Sequence, residues 1–261
     1  FFLKILPCLA STSMASVPQD LMISGFKGVA TGELTWFCSP DDSADGSFSV
    51  SSDESTLILS APSKKDFWRK TYYSPILVKD DGPCLFATMP SDVVATVQTD
   101  FSLDPKRQFD QAGLAVQFDS EHWIKTGIEV VDGVPRLSCV VCNVYADWST
   151  QVWPEPRARI RVHLRGDSSF VVEAAPFTST SDDEWAFVRI CHLSPAMVQP
   201  NDPLRDHPNA AAAFVGPSAP SKSVWAGVFA CCPDEQAGCT ASFTNFSVTQ
   251  GSSFDHTADG V

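Results

Sequence analysis

Positive charge is scarce in this chain: 18 lysines and arginines stand against 31 aspartates and glutamates, a formal net charge of -13. Phosphate backbones and anionic lipid repel such a chain unless its few cations cluster, so nucleic acid and membrane partners are disfavoured. Long apolar runs are also missing. No segment approaches the ~18 consecutive apolar residues of a membrane helix. There is no P-loop, no G-x-S-x-G, no H-E-x-x-H and no dinucleotide fingerprint. The five histidines (122, 163, 192, 207 and 256) are scattered without metal-ligand spacing. Asp41-Asp42 and Asp182-Asp183-Glu184 lack the spacing of a calcium loop. Neither a metal nor a cofactor is expected.

A disulfide framework is missing too. Nine cysteines are an odd number, and their spacings do not repeat. Buried free thiols are the expectation, and they favour a cytoplasmic compartment. Cys139 and Cys142 form a CxxC, but inside a run that reads as strand, where positions three apart face opposite ways and cannot share one tetrahedral metal. The adjacent Cys231 and Cys232 read as one core thiol and one surface thiol. The apolar opening Phe1 to Ala10, followed by small residues, has the look of a leader remnant and would point to secretion; the alternative is a start at Met14.

What is present in abundance is strand signal. Short runs rich in β-branched and aromatic residues recur at 56–60, 93–99, 113–118, 123–131, 136–141, 160–164, 169–174, 224–230 and 240–249. Turn chemistry separates them, with Asp132-Gly133 and Arg165-Gly166-Asp167 placed as hairpin turns. No helical periodicity and no repeat interrupts the pattern. The expected fold is all-β, a mostly antiparallel two-sheet sandwich. Residues 1–20 read as an extension, 21–250 as one domain, 194–223 as a long proline-rich surface loop within it, and 251–261 as a polar tail that frays from Ser252.

Within 66–149 several unusual words follow one another: Asp66-Phe67-Trp68, Phe109-Asp110-Gln111-Ala112-Gly113-Leu114, Trp123-Ile124-Lys125-Thr126-Gly127-Ile128-Glu129, and Ala146-Asp147-Trp148-Ser149. In order and spacing they resemble the DUF1349 family, whose eukaryotic members are called "regulation of enolase protein 1"-like, within the concanavalin A-like lectin/glucanase superfamily. The resemblance reaches outward to Leu34-Thr35-Trp36 and to Phe243-Thr244-Asn245-Phe246. It implies a jelly-roll sandwich and no established activity. Cys142 and Ala146 stand where the family more often has a hydroxyl residue.

Alternation singles out one sheet face. Leu114, Val116 and Phe118 with Ile124, Thr126 and Ile128 form a core side, so Gln111, Gly113, Ala115, Trp123, Lys125, Gly127 and Glu129 share the other. A tryptophan, an ammonium and a carboxylate in a row, ~6.8 Å per step of two, could line a groove, with the glycines leaving room above the sheet. Trp68, Trp123 and Trp148 would stack on a sugar, while Asp110, Gln111, Lys125, Glu129 and Asp147 would bond its hydroxyls. The structural alternative has Lys125 paired with Glu129 or Asp110, Trp123 covered by a loop, and Asp147 capping the turn before Trp148. Trp36, Trp153, Trp185 and Trp225 read as core.

Three functions follow in order. The first is a noncatalytic module binding a carbohydrate or sugar-derived metabolite on the concave sheet face. The second is a protein-interaction or regulatory module of carbohydrate metabolism, favoured if the groove is filled by its own loop. The third is a glycan hydrolase or lyase, in which Glu129 would need a second carboxyl from Asp66, Asp110 or Asp147.

Overall fold

The computed structural model describes residues 22–195, 222–236 and 238–252, together with 15–16, 219 and 254. Most of the proline-rich 194–223 segment and of the 1–20 extension lies outside the described residues. In chain order the strands are β1 (Ala15–Ser16), β2 (Ile23–Ser24), β3 (Leu34–Phe37), β4 (Ser47–Val50), β5 (Thr56–Ser60), β6 (Phe67–Arg69) and β7 (Val78–Asp80). They continue with β8 (Cys84–Pro90), β9 (Val93–Asp104), β10 (Gln111–Asp119), β11 (His122–Val131), β12 (Val134–Asn143) and β13 (Tyr145–Val152). The last are β14 (Arg157–Arg165), β15 (Ser169–Ala175), β16 (Ala186–His192), β17 (Ser223–Cys231) and β18 (Thr240–Gln250).

Two large sheets result. One runs β16-β15-β14-β9-β18-β5-β4, with β1 added to β9 and β2 to β18; the other runs β13-β12-β11-β10-β17-β8-β3. Apart from the parallel β1–β9 pair, the ladders within them are antiparallel. The Asp132-Gly133 hairpin forms as its residues dictate: both take positive φ, 54° and 78°, and Val131 pairs with Val134 across a two-residue turn.

The sheets pack face to face through the alternate apolar positions. Leu57, Val97, Ile160 and Phe243 from the first meet Leu114, Ile124, Val141 and Val228 from the second in one buried cluster. Each such side chain contributes roughly 1.5–3 kcal/mol by leaving water. The other face of the seven-stranded sheet carries its own apolar cluster, with Phe86, Ala115, Trp123, Val140, Cys142 and Phe229. What covers it is the segment 61–83, whose short β6–β7 hairpin lays Phe67 and Trp68 onto it.

Several expectations are corrected. Cys231 and Cys232 are both fully buried, because the strand end they share is sandwiched between the two clusters and each thiol enters one of them. Cys139 and Cys142 likewise split between the clusters, as strand parity requires. Within the tail, Phe254 is docked: it stacks on Phe187 at 5.9 Å and accepts a bond from Arg165. Trp185 is a half-buried ring with two guanidinium groups over it, Arg161 at 4.2 Å and Arg159 at 5.0 Å. His122 opens β11 and bonds Asp119 at 2.8 Å.

Candidate functional site

The row that alternation singled out on β10 and β11 lies beneath segment 61–83. Trp123 is 2% exposed, its ring against Phe67 and its Nε1 donating to Ser120 O. Lys125 is buried and donates to Asp66 Oδ1 at 2.8 Å; its partner comes from the covering segment, not from Glu129 or Asp110. The same Asp66 oxygen accepts from the Gln111 amide at 3.1 Å and from the Phe67 backbone N–H at 2.8 Å. Burial pulls the Lys125 ammonium down, but the Asp66 and Glu129 carboxylates outweigh it and hold the group above its usual range.

Glu129 is also buried. Its Oε2 accepts from the Ser138 hydroxyl at 2.7 Å, and that hydroxyl accepts from Trp148 Nε1 at 2.8 Å. Burial pushes its carboxyl up, opposed by Lys125 and Ser138. Asp110 is sealed off altogether: its Oδ2 accepts from the backbone N–H groups of Lys106 and Arg107 at 2.6 and 2.8 Å, which fixes the entry to β10. Asp147 points to solvent and pairs with Arg189 of β16 at 3.0 Å instead of capping a turn. Gly113 and Gly127 face each other in register, and a Cβ on either would lie about 2 Å from a carbonyl of the opposite strand. Their smallness serves close strand approach, not ligand space.

Open space remains at the end of the covering segment. A cavity of about 650 Å³ is walled by Trp68, Tyr72, Tyr73, Phe109 and Trp148, with Gln108, Asp132 and Asp147 also lining it. Of the eight candidates, Trp68, Asp147 and Trp148 reach this cavity, and Glu129 touches it indirectly through Ser138 and Trp148. Tyr72, Tyr73 and Phe109 were missed. Tyr72 and Tyr73 sit in a segment without periodicity, and the signal for Phe109 was only its place beside Asp110.

Two of the walls are anchored by hydrogen bonds. Trp68 Nε1 donates to Thr71 O at 2.8 Å, and Phe109 N donates to Val130 O at 2.8 Å. Tyr72 and Phe109 adopt left-handed backbones, φ 74° and 64°, which bulky residues rarely take. Tyr72 is 89% and Tyr73 39% exposed. No helix among the described residues is long and apolar enough to cross a membrane.

A Saccharomyces cerevisiae protein named "Regulation of enolase protein 1" is 35% identical over 127 residues, 49% of this chain and 59% of that protein. An uncharacterized Emericella nidulans protein is 32% identical over 95 residues, 35% of this chain and 46% of that one. The chain thus spans between about half and three fifths of these curated relatives. Among solved structures, a functionally unknown protein from Saccharomyces cerevisiae aligns over 85% of this chain and 98% of its own, at TM-score 0.64 and 26% identity. A xylan beta-1,4-xylosidase of Bacillus halodurans aligns over 75% of this chain and 33% of its own, at TM-score 0.51 and 11% identity, a likeness of fold alone. With the family model matched over residues 44–251, the chain belongs to the family described as "Protein of unknown function (DUF1349)".

Proposed function

We propose that this chain is a noncatalytic β-sandwich recognition module whose ligand is the surface of another protein. The observation that carries the reading is the covering segment: Phe67 and Trp68 occupy the sheet face on which a sugar would lie, and Asp66 pins them to Lys125. A face filled by its own chain has no room for an oligosaccharide. The same segment turns Tyr72 and Tyr73 outward, the ring type enriched at protein interfaces. The name of the yeast relative makes enolase the first partner to try. The test is titration of purified enolase into the intact chain, followed by calorimetry. Saturable binding that weakens by about tenfold or more in a Tyr72→Ala/Tyr73→Ala variant is expected. Absence of binding overturns enolase as the partner, and unchanged binding by the variant overturns this surface.

A second reading keeps a sugar as ligand but moves it to the open cavity, where Trp68 and Trp148 stand beside Gln108, Asp132 and Asp147. Ring faces next to hydrogen-bonding groups are what a pyranose requires. A saccharide at a hundredfold its dissociation constant adds about 2.7 kcal/mol of stability, so a melting shift across a sugar panel, lost in Trp148→Ala, would put sugar ahead of protein. Glycan cleavage draws the least support. Retention needs two carboxyls ~5–5.5 Å apart on an open groove. Of the partners considered for Glu129, Asp66 is bound to Lys125, Asp110 is sealed by backbone N–H groups, and Asp147 holds Arg189.

A further inference from the structure

The five rings of the open cavity follow one another at nearly right angles. Tyr72 meets Tyr73 at 83°, Tyr73 meets Trp68 at 81°, Trp68 meets Trp148 at 88°, and Trp148 meets Phe109 at 77°, with centroids 5.3 to 6.3 Å apart. A pyranose chair lays its C–H face on one platform or between two parallel ones. Successive edge-to-face contacts instead join the five rings into one aromatic wall around the cavity they line, and a compact cation set against such a wall meets the ring quadrupoles.

Charge agrees with shape. Asp132 and Asp147 line the cavity, and among the described residues no lysine, arginine or histidine does. Asp147 shares one oxygen with Arg189, and Asp132 accepts from the Gln108 amide at 3.1 Å, so both carboxyl groups sit at the rim. Behind the wall, Trp148 Nε1 donates to Ser138, which donates to Glu129; this chain of bonds ends on a carboxyl and enriches the indole face in electrons. The Tyr73 phenol is pushed up, first by burial and then by Asp66 and Glu129, so the field at that wall disfavours further negative charge. Two walls, Tyr72 and Phe109, are held on strained left-handed backbones, a cost that clusters at ligand clamps. One ammonium already lies over a ring nearby: Lys70 Nζ is 5.3 Å from the Tyr145 centroid.

We infer that this cavity is an aromatic cage for a quaternary or methylated ammonium group, carried either by a free small molecule or by a lysine side chain of a partner. The inference names the ligand chemistry that the module reading leaves open, and depends on that reading only for the partner-borne source. The test uses the intact chain and tryptophan fluorescence, with choline set against its uncharged isostere 3,3-dimethylbutan-1-ol. Choline should bind saturably and about tenfold more tightly than the alcohol, and Tyr73→Leu should remove most of that advantage. Equal binding of the two overturns the cage, even if enolase binds the same sample and so upholds the module. Because this comparison is made on the unmutated chain, it stands whether or not a variant folds. Capped trimethyllysine provides the second arm. Tighter binding than choline assigns a side chain, weaker binding assigns a free metabolite, and binding of neither overturns the inference.

Discussion

The Lys125 ammonium bonds Asp66 at 2.8 Å, joining the middle of the seven-stranded sheet to a segment 59 residues earlier in the chain. Both side chains are largely buried. Removing one partner of such a pair leaves the other charge uncompensated, at a cost of about 3–5 kcal/mol. Lys125→Met and Asp66→Leu should each lower the unfolding free energy read from urea denaturation by that order, while the double variant recovers much of the loss. Additive losses in the cycle would show that the two groups do not depend on each other.

Glu129 and Asp119 should respond to pH with opposite sign. The Glu129 carboxyl is raised above its ordinary 4.5, chiefly by burial, so its contribution is present below 4.5 and is lost as pH rises through the higher folded value. Burial also acts to raise Asp119, but the His122 ring and the Glu121 N–H outweigh it and leave the group below its ordinary 3.8. Its contribution is present above 3.8 and is lost as pH falls. Denaturation curves should therefore show wild type gaining on Glu129→Gln as the solution is acidified, and losing its advantage over Asp119→Asn.

Gly127→Ala should destabilise without touching any ligand. A Cβ there would stand 2.0 Å from Ala112 O and 2.7 Å from Gly113 Cα, atoms of the backbone that cannot swing aside. Overpacking of this kind costs roughly 1–3 kcal/mol or more. A thermal melt checks it, and an unchanged midpoint would mean that the two strands can separate at this pair.

The eight described thiols should resist alkylation in the native state. Even the half-buried Cys38 and Cys191 are pushed up to about 12, first by burial, so near neutral pH almost no thiolate is offered. Mass spectrometry after iodoacetamide should find these eight unmodified until denaturant is added. Rapid native labelling of any of them would contradict the packing described.

Several large strands were legible because bulky apolar residues recur at every second position: Leu114, Val116 and Phe118 on β10 need no partner to be recognised as core. Asp132-Gly133 was equally plain, since only a tight turn uses that pair between two alternating runs. Segment 61–83 was not. Phe67–Arg69 and Val78–Asp80 are three residues each, too short to show a period, and their positions follow from a sheet that must bury its second face. For the same reason Lys125 stood out as unusual while its partner did not: no local rule connects it to Asp66. The Cys231-Cys232 pair reads as one core and one surface thiol only where a strand has one wet face, and this strand end has none.

The order of strands across the nine-stranded sheet also carries a kinetic meaning. β18, the last strand among the described residues, lies between β5 and β9, and Ser60 meets Thr240 across a separation of 180 residues. While the chain emerges from the ribosome, the two earlier strands wait with unsatisfied edges for residues 240–250. Such distant pairing folds slowly and exposes sticky intermediates. A chain truncated before β18 should therefore associate with other chains instead of completing its sandwich, and during synthesis those open edges are where a chaperone would be needed.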